Sequence, residues 1–187
     1  MGQLISFEER AVASLRDRLG AAESANEDLI AFARGHSGAT AAIHAAVLSL
    51  MDADDLDELF DVVTSQWPRM LGLDSVGMAI VADGQGFRVH GGGIEHIEAR
   101  IVDRAIASLE PITMRTVTRG HALFGAAADG IRSEALLQMA AEAPLPYGLL
   151  MLGQRDAASL DARHGAQLLG FLADSLGAML RRWLIDR

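Results

Sequence analysis

The sequence contains no cysteine, and this absence excludes disulfide bonds, thiolate nucleophiles and thiolate metal sites. It also contains no lysine, so all 16 basic residues are arginines. Schiff-base chemistry and a Walker-type phosphate-binding lysine are therefore excluded as well. Acidic residues outnumber basic ones and give a net charge of -9. That charge disfavours nonspecific binding to nucleic acid, because such binding needs clustered cations.

Long apolar runs are also missing. A membrane-spanning helix needs roughly 18 consecutive apolar residues, and the longest apolar stretch here, residues 39–51, is interrupted by His44 and Ser49. Residues 1–10 become acidic early, unlike a secretory signal peptide. We therefore expect a soluble cytoplasmic protein with no membrane partner. Half of its 187 residues are apolar, which is enough for a core.

The amino-terminal part carries a heptad pattern. Residues 5–34 are rich in alanine, glutamate, arginine and leucine, which predicts a helix. Spacings that alternate between three and four indicate a coiled-coil stripe, formed by Val12, Leu15, Leu19, Ala22, Asn26, Leu29 and Ala33. An asparagine at such a position favours two-stranded pairing, so we expect a homodimer through this helix. The alternative is that the stripe packs on its own domain. Glycines at 35 and 38 place a domain boundary between residues 1–35 and 36–187.

The rest of the chain mixes helices and strands. Asp54 or Asp55 can cap a helix, and Pro68 should kink or shorten it. Hydrophobic periodicity predicts helices over 39–52, 56–71, 94–109 and 159–185, strands over 75–82, 87–90, 112–117, 134–141 and 147–154, and a loop over 118–130. This order predicts an α+β fold, with an antiparallel sheet flanked by helices.

Four stretches carry a resemblance to a known family. They are Leu123-Phe-Gly125, residues 133–136, Gly148-Leu-Leu-Met-Leu-Gly153 and Arg182-Trp183-Leu184. Together with the leading helix they are similar to the landmarks of a GAF-like bacterial family, known as domain of unknown function number 484. The resemblance covers essentially the whole chain. It implies a GAF-like fold and a sensory or regulatory role, and it implies no reaction.

Catalytic and metal patterns are incomplete. Residues 35–39, Gly-His-Ser-Gly-Ala, approximate a nucleophile elbow but lack its last glycine and the strand before it. His90 and His96 are separated by a glycine loop, whereas a metal site needs three or four converging ligands. We therefore predict neither an enzyme nor a metal site, and the sequence names no cofactor.

The resemblance to GAF domains implies a small-molecule pocket on one face of the sheet. Mapped by position, its apolar lining would be Met78, Ile80, Phe87, Ile97, Ile101, Met114, Leu123 and Phe124. Arg115, Arg119 and His121 are the nearest polar candidates for an anionic group. The alternative is that the apolar residues form a second core, and that the protein is a ligand-free dimeric scaffold or interaction module. Without cysteine, a covalently attached bilin is excluded.

Overall fold

A computed structural model describes residues 19–20, 23–24, 37–139, 145–157 and 162–185. The chain divides into two compact units, Met1–Ala39 and Thr40–Arg187. In the first unit, every described residue is helical. Within the described ranges, no helix combines the length and apolar character required to span a membrane.

The helices that precede the sheet begin and end where local chemistry predicts. Residues 37–51 form helix α1. Asp55 caps helix α2 (Leu56–Asp61), because its side chain accepts a hydrogen bond from the backbone N–H of Glu58 at 2.8 Å. A π-helical turn (Val62–Gln66) leads into helix α3 (Trp67–Leu71), which has Pro68 in its first turn. The helical backbone is continuous from Leu56 to Leu71, so Pro68 does not shorten the predicted helix. The π-helical turn lies directly before Pro68, where proline removes a regular backbone donor.

The sheet contains six antiparallel strands in the order β3-β2-β1-β6-β5-β4. The strands are β1 (Ser75–Ala82), β2 (Gln85–His90), β3 (Gly93–Ile97), β4 (Ile112–Thr116), β5 (Ser133–Met139) and β6 (Tyr147–Gln154). Helix α4 (Ala99–Ala107) follows β3, a 3-10 segment (Ala122–Gly130) joins β4 to β5, and helix α5 (Ala162–Ile185) comes last. The predicted antiparallel sheet flanked by helices is confirmed.

Two predicted elements are wrong. Residues 94–97 are strand and not helix, so α4 begins only at Ala99. The spacing of Ile94, Ile97 and Ile101 fits a helix, but backbone pairing with β2 places the first two isoleucines in an edge strand. The predicted loop over 118–130 contains the 3-10 segment. Both errors arise where contacts between strands and across loops override local periodicity.

The sheet has two covered faces. The α5 face packs against α1, α2, α3 and α5 and carries the larger apolar cluster, with Leu50, Trp67, Met78, Leu150 and Leu176 at its centre. The α4 face packs against α4 and the 3-10 segment, and its cluster contains Ala79, Val102, Phe124, Leu149 and Met151. Among the described residues, the α4 face buries about half as many apolar side chains as the α5 face.

Candidate functional site

The structure divides the predicted pocket lining between the two faces. Met78 and Ile80 are buried in the cluster of the α5 face, and Phe87 and Met114 pack against that cluster. We expected these four residues to line one surface together with the residues of the α4 face. The structure corrects this, because it places them on the α5 face. Successive side chains of a strand point to opposite faces, and the apolar pattern of β1 does not say which set faces which helix. Any ligand contact of these residues stays a prediction.

Three of the predicted lining residues lie on the α4 face. Leu123 and Phe124 are buried in its cluster, and Ile97 packs against it. Ile101 lies on α4 but is 45% exposed. The α4 face is therefore the one that brings together part of the predicted lining and, as follows, the predicted polar residues.

A fully buried carboxylate connects the 3-10 segment to the sheet. Glu134 on β5 is 0% exposed. Its Oε1 accepts a hydrogen bond from Nε of Arg115 at 2.8 Å and lies 2.7 Å from Nη2 of the same guanidinium. Its Oε2 accepts the backbone N–H of His121 at 2.6 Å. Glu134 thus brings together two of the three predicted polar residues. Arg115 neutralises this carboxylate with two of its donors, so it does not present a free guanidinium.

His121 lies immediately before the 3-10 segment and caps it. Its Nδ1 accepts the backbone N–H of Leu123 at 3.2 Å. Burial lowers the pKa of His121 below its usual value, and Arg115 adds to this effect while Glu134 opposes it. The neutral ring fits this geometry, because only an unprotonated Nδ1 can accept the hydrogen bond.

Arg119 is placed differently from the other predicted polar residues. Its Nε lies 2.7 Å from Oδ1 of Asp129, and the two side chains are 68% and 76% exposed. This ion pair connects Arg119, three residues before the 3-10 segment, to Asp129 near the end of the segment, at the surface. Exposed pairs of this kind contribute little to stability.

A second charged group lies at the other end of the α4 face. Arg88 on β2 pairs in register with Ala79 of β1, which is buried in this face. Nη2 of Arg88 donates to Oε2 of Glu95, and Oε1 of Glu95 lies 3.0 Å from Nε2 of His90. The hydrogen bond to His90, followed by that to Arg88, holds the pKa of Glu95 below its usual value. Nε of Arg88 is buried and has no hydrogen-bond partner in the part of the chain that the structure describes.

Polar contacts also attach α4 to the sheet. Nε2 of Gln138 donates to the backbone oxygens of Ile106 at 3.1 Å and Leu109 at 3.0 Å. The hydroxyl of Tyr147 donates to Oδ1 of Asp103 at 2.7 Å, and this bond raises the pKa of Tyr147 above its usual value. The segments that cover the α4 face are therefore joined to the sheet by directional hydrogen bonds as well as by apolar packing.

Sequence reasoning missed Arg88 and Glu134 as parts of the site. A signal was present for Glu134, because residues 133–139 are otherwise mostly apolar and a charge within a buried strand needs a partner. Arg88 lies between two apolar residues of β2, where alternation suggests a solvent-facing side chain. Its burial became apparent only from the segments that cover this face.

Two further predictions meet little or no structural test. Among the described residues, no group of three or more histidine, aspartate or glutamate side chains converges as a metal site would require. Of the predicted dimer residues, Leu19 is described and is 60% exposed. The remaining ones lie outside the described residues: Val12, Leu15, Ala22, Asn26 and Leu29. The homodimer and the boundary at residue 35 stay predictions.

Comparisons with known proteins identify the fold. The family described as "Protein of unknown function, DUF484" matches residues 1–185, and no curated protein matches the chain. The GAF domain of a two-component sensor histidine kinase from Bacillus halodurans is 14% identical, with a TM-score of 0.53 over 72% of this chain and 99% of that one. The phycocyanobilin-bound GAF domain from a cyanobacterial phytochrome is 12% identical, with a TM-score of 0.54 over 79% and 96%.

An enzyme has a similar fold. Free methionine-R-sulfoxide reductase from Neisseria meningitidis, in complex with its substrate, is 14% identical, with a TM-score of 0.55 over 78% of this chain and 89% of that one. At such identities the similarities show a shared GAF fold, and they leave the chemistry of the α4 face to be argued from its own residues.

Proposed function

The chain belongs to the DUF484 family of proteins of unknown function, and from that premise and its GAF fold we propose that it is a non-enzymatic sensory or regulatory module. A small molecule binds on the α4 face, in the bacterial cytoplasm. Binding favours one arrangement of the covering segments over another, and the helices pass this difference to a partner protein. A ligand can do so only by binding one arrangement more tightly than the other.

The observation that carries the proposal is the mixed character of the α4 face. Its apolar cluster is the smaller of the two among the described residues, and two arginine–glutamate pairs flank it. Ligand sites typically combine an apolar lining with a few oriented polar groups. Segments that bury fewer apolar side chains also open at lower cost, and ligand-linked motions are drawn from such segments.

The solved relatives support the choice of a small molecule. One similar GAF domain holds phycocyanobilin, and the similar reductase holds its substrate. The present chain has no cysteine, so any ligand that it binds is held without a thioether bond. The catalytic motifs in the sequence are incomplete, so we propose that the chain binds its ligand without converting it.

Native mass spectrometry of the full chain purified from cells tests the ligand. We expect retained mass beyond that of the polypeptide. Leu149 and Leu150 provide matched variants, because they are neighbours on β6 and both are 0% exposed, but they belong to opposite faces. Leu149→Val should reduce the fraction of chains that carry the extra mass, while Leu150→Val leaves this fraction unchanged. Equal effects of the two variants would contradict binding on the α4 face.

The alternative function is a ligand-free dimeric scaffold. It would be favoured if the chain retained no mass and if incubation with a small-molecule extract of the cells added none. Under that result the protein would still assemble partners through its helices, but the α4 face would be a second core.

The homodimer forms part of the proposal. We expect the stripe from Val12 to Leu29 to pair two chains, with α5 as a second contact. Leu15→Glu together with Leu19→Glu should then yield a folded monomer. Sedimentation velocity measures the subunit number, and circular dichroism checks that the variant is folded. A dimer that survives both substitutions would refute the coiled-coil account.

A further inference from the structure

Arg88 differs from the other arginine that faces the buried part of the sheet. In Arg115, Nε donates to Oε1 of Glu134 at 2.8 Å, and Nη2 lies 2.7 Å from the same oxygen in the ion pair. These two nitrogens lie on the same side of the planar guanidinium and form the fork that suits a carboxylate or a phosphate. In Arg88, Glu95 takes only Nη2, and the buried Nε has no partner among the described residues. In Arg115, both nitrogens of this edge face the carboxylate of Glu134, whereas in Arg88 only Nη2 has an acceptor among the described residues.

An unpaired donor at this place calls for an explanation. Leaving a buried donor without an acceptor is unfavourable, and more so when the donor belongs to a charged group. The side chain of Arg88 is 20% exposed while that of Glu95 is 47% exposed. Glu95 therefore holds the guanidinium from the solvent side, while Nε faces the protein interior. Any acceptor for Nε has to reach the α4 face itself.

Gly125 shapes the space around the guanidinium. A Cβ atom at Gly125 would lie 3.1 Å from Cζ and Nη1 of Arg88 and 3.3 Å from Nη2. Such nearly equal distances mean that the 3-10 segment passes over the flat face of the guanidinium. The backbone there has φ 59° and ψ -130°, which favours glycine. The 3-10 segment covers the flat face, and because Nε is buried, an acceptor in the plane of the guanidinium reaches it only when this covering segment moves.

We propose that Arg88 binds the anionic group of a small organic ligand on the α4 face, with Nε as the donor that Glu95 does not use. The anionic group is a carboxylate or a phosphate, and the apolar part of the ligand packs toward Leu123 and Leu149. This inference rests on the proposed function, because it names the chemical class of the ligand for the same site. Glu95 keeps the guanidinium oriented before the ligand arrives.

The test uses three aromatic probes of similar shape: benzoate, phenyl phosphate and the neutral benzamide. The full chain is labelled with ¹⁵N-arginine, and the Nε–Hε signal of Arg88 is identified by its loss in the Arg88→Lys variant. We expect benzoate or phenyl phosphate to shift that signal saturably, and benzamide to leave it in place. The probe that binds more tightly distinguishes a carboxylate ligand from a phosphate ligand.

Matched variants separate specific recognition from general attraction of anions. Arg88→Lys keeps the positive charge but not the two-donor edge of the guanidinium. We expect it to raise the dissociation constants of the anionic probes at least tenfold. Arg119→Lys serves as the control, because Arg119 is 68% exposed and paired with Asp129, and we expect it to leave binding unchanged. Methyl signals of Leu176 on the α5 face report that each variant is folded. Equal weakening by both variants would overturn the assignment.

The remaining outcomes distinguish the two proposals. If all three probes shift the methyl signals of Leu123 equally and Arg88→Lys has no effect, the anion assignment is overturned while the ligand site on the α4 face stands. If no probe shifts either the Arg88 signal or the Leu123 methyls, the anion assignment is overturned and the ligand site loses support as well.

Discussion

The ion pair between Arg115 and Glu134 should contribute far more to stability than the ion pair between Arg119 and Asp129. Replacing Arg115 with methionine leaves a carboxylate that is 0% exposed with one remaining donor, the backbone N–H of His121. Removing one partner of a fully buried pair costs about 3–5 kcal/mol. Because Arg115 itself is 45% exposed, water can reach this pair from one side. We therefore expect a loss of about 2–3 kcal/mol.

The control is Arg119→Met, in which the broken pair is exposed on both sides. Such pairs contribute roughly 0–1 kcal/mol. A second background sharpens the comparison. With Glu134→Gln in place, no charge stays buried when Arg115 is removed, so Arg115→Met should cost less than about 1 kcal/mol there. The difference between the two backgrounds is the coupling energy of the pair.

Urea unfolding at one protein concentration measures these free energies. Fluorescence of Trp67, which is 0% exposed, follows the loss of the core. The reasoning would be refuted if Arg115→Met and Arg119→Met had the same effect. It would also be refuted if Arg115→Met cost as much in the Glu134→Gln background as in the original chain.

Two further predictions concern the 3-10 segment. Because burial lowers the folded-state pKa of His121 below 6.5, the unfolded chain binds a proton there first as the pH falls. The contribution of His121 to stability is therefore complete above pH 6.5 and declines from there down to the lower folded-state pKa. Urea unfolding at several pH values should show that the free energy of unfolding depends less on pH in His121→Gln than in the original chain. The same dependence in both proteins would contradict this. Gly125→Ala should destabilise the fold by about 2–3 kcal/mol, since it combines a positive φ with close contact to Arg88. Gly84 also has a positive φ, 72°, but a Cβ atom added there would meet no described atom within 4 Å other than those of its chain neighbours. Gly84→Ala should therefore cost about 1 kcal/mol. Equal losses in the two variants would show that contact with Arg88 is unimportant.

Elements with a strong local signal could be predicted from the sequence. The strands over 75–82 and 147–154 are confirmed residue for residue, because β-branched or apolar runs bounded by turn residues are typical of buried strands. The capping role of Asp55 is confirmed for a similar reason, because the cap and its partner Glu58 are three residues apart. Each depends on interactions within a few residues of the chain.

Elements defined by distant partners could not be predicted in this way. The isoleucines at 94 and 97 satisfy a helical spacing, and only pairing with β2 makes them an edge strand. The division of the predicted pocket lining between the two faces has a related cause. Both sets of alternate residues in β1 are apolar, so Met78 and Ile80 could not be distinguished from Ala79 and Val81 without knowing which helix covers which face.

The sequence by itself determined the class of fold, the excluded chemistries and the family, since these follow from composition, local periodicity and short motifs. The resemblance also named Arg115, Arg119 and His121 as the polar candidates of one ligand site. Only the tertiary structure decided that a buried Glu134 joins Arg115 and His121. It alone also showed that Nε of Arg88 is buried without a partner among the residues that the structure describes. The physical reason is that burial and pairing of charges depend on which distant segments cover a strand, and the strand's own residues do not encode that.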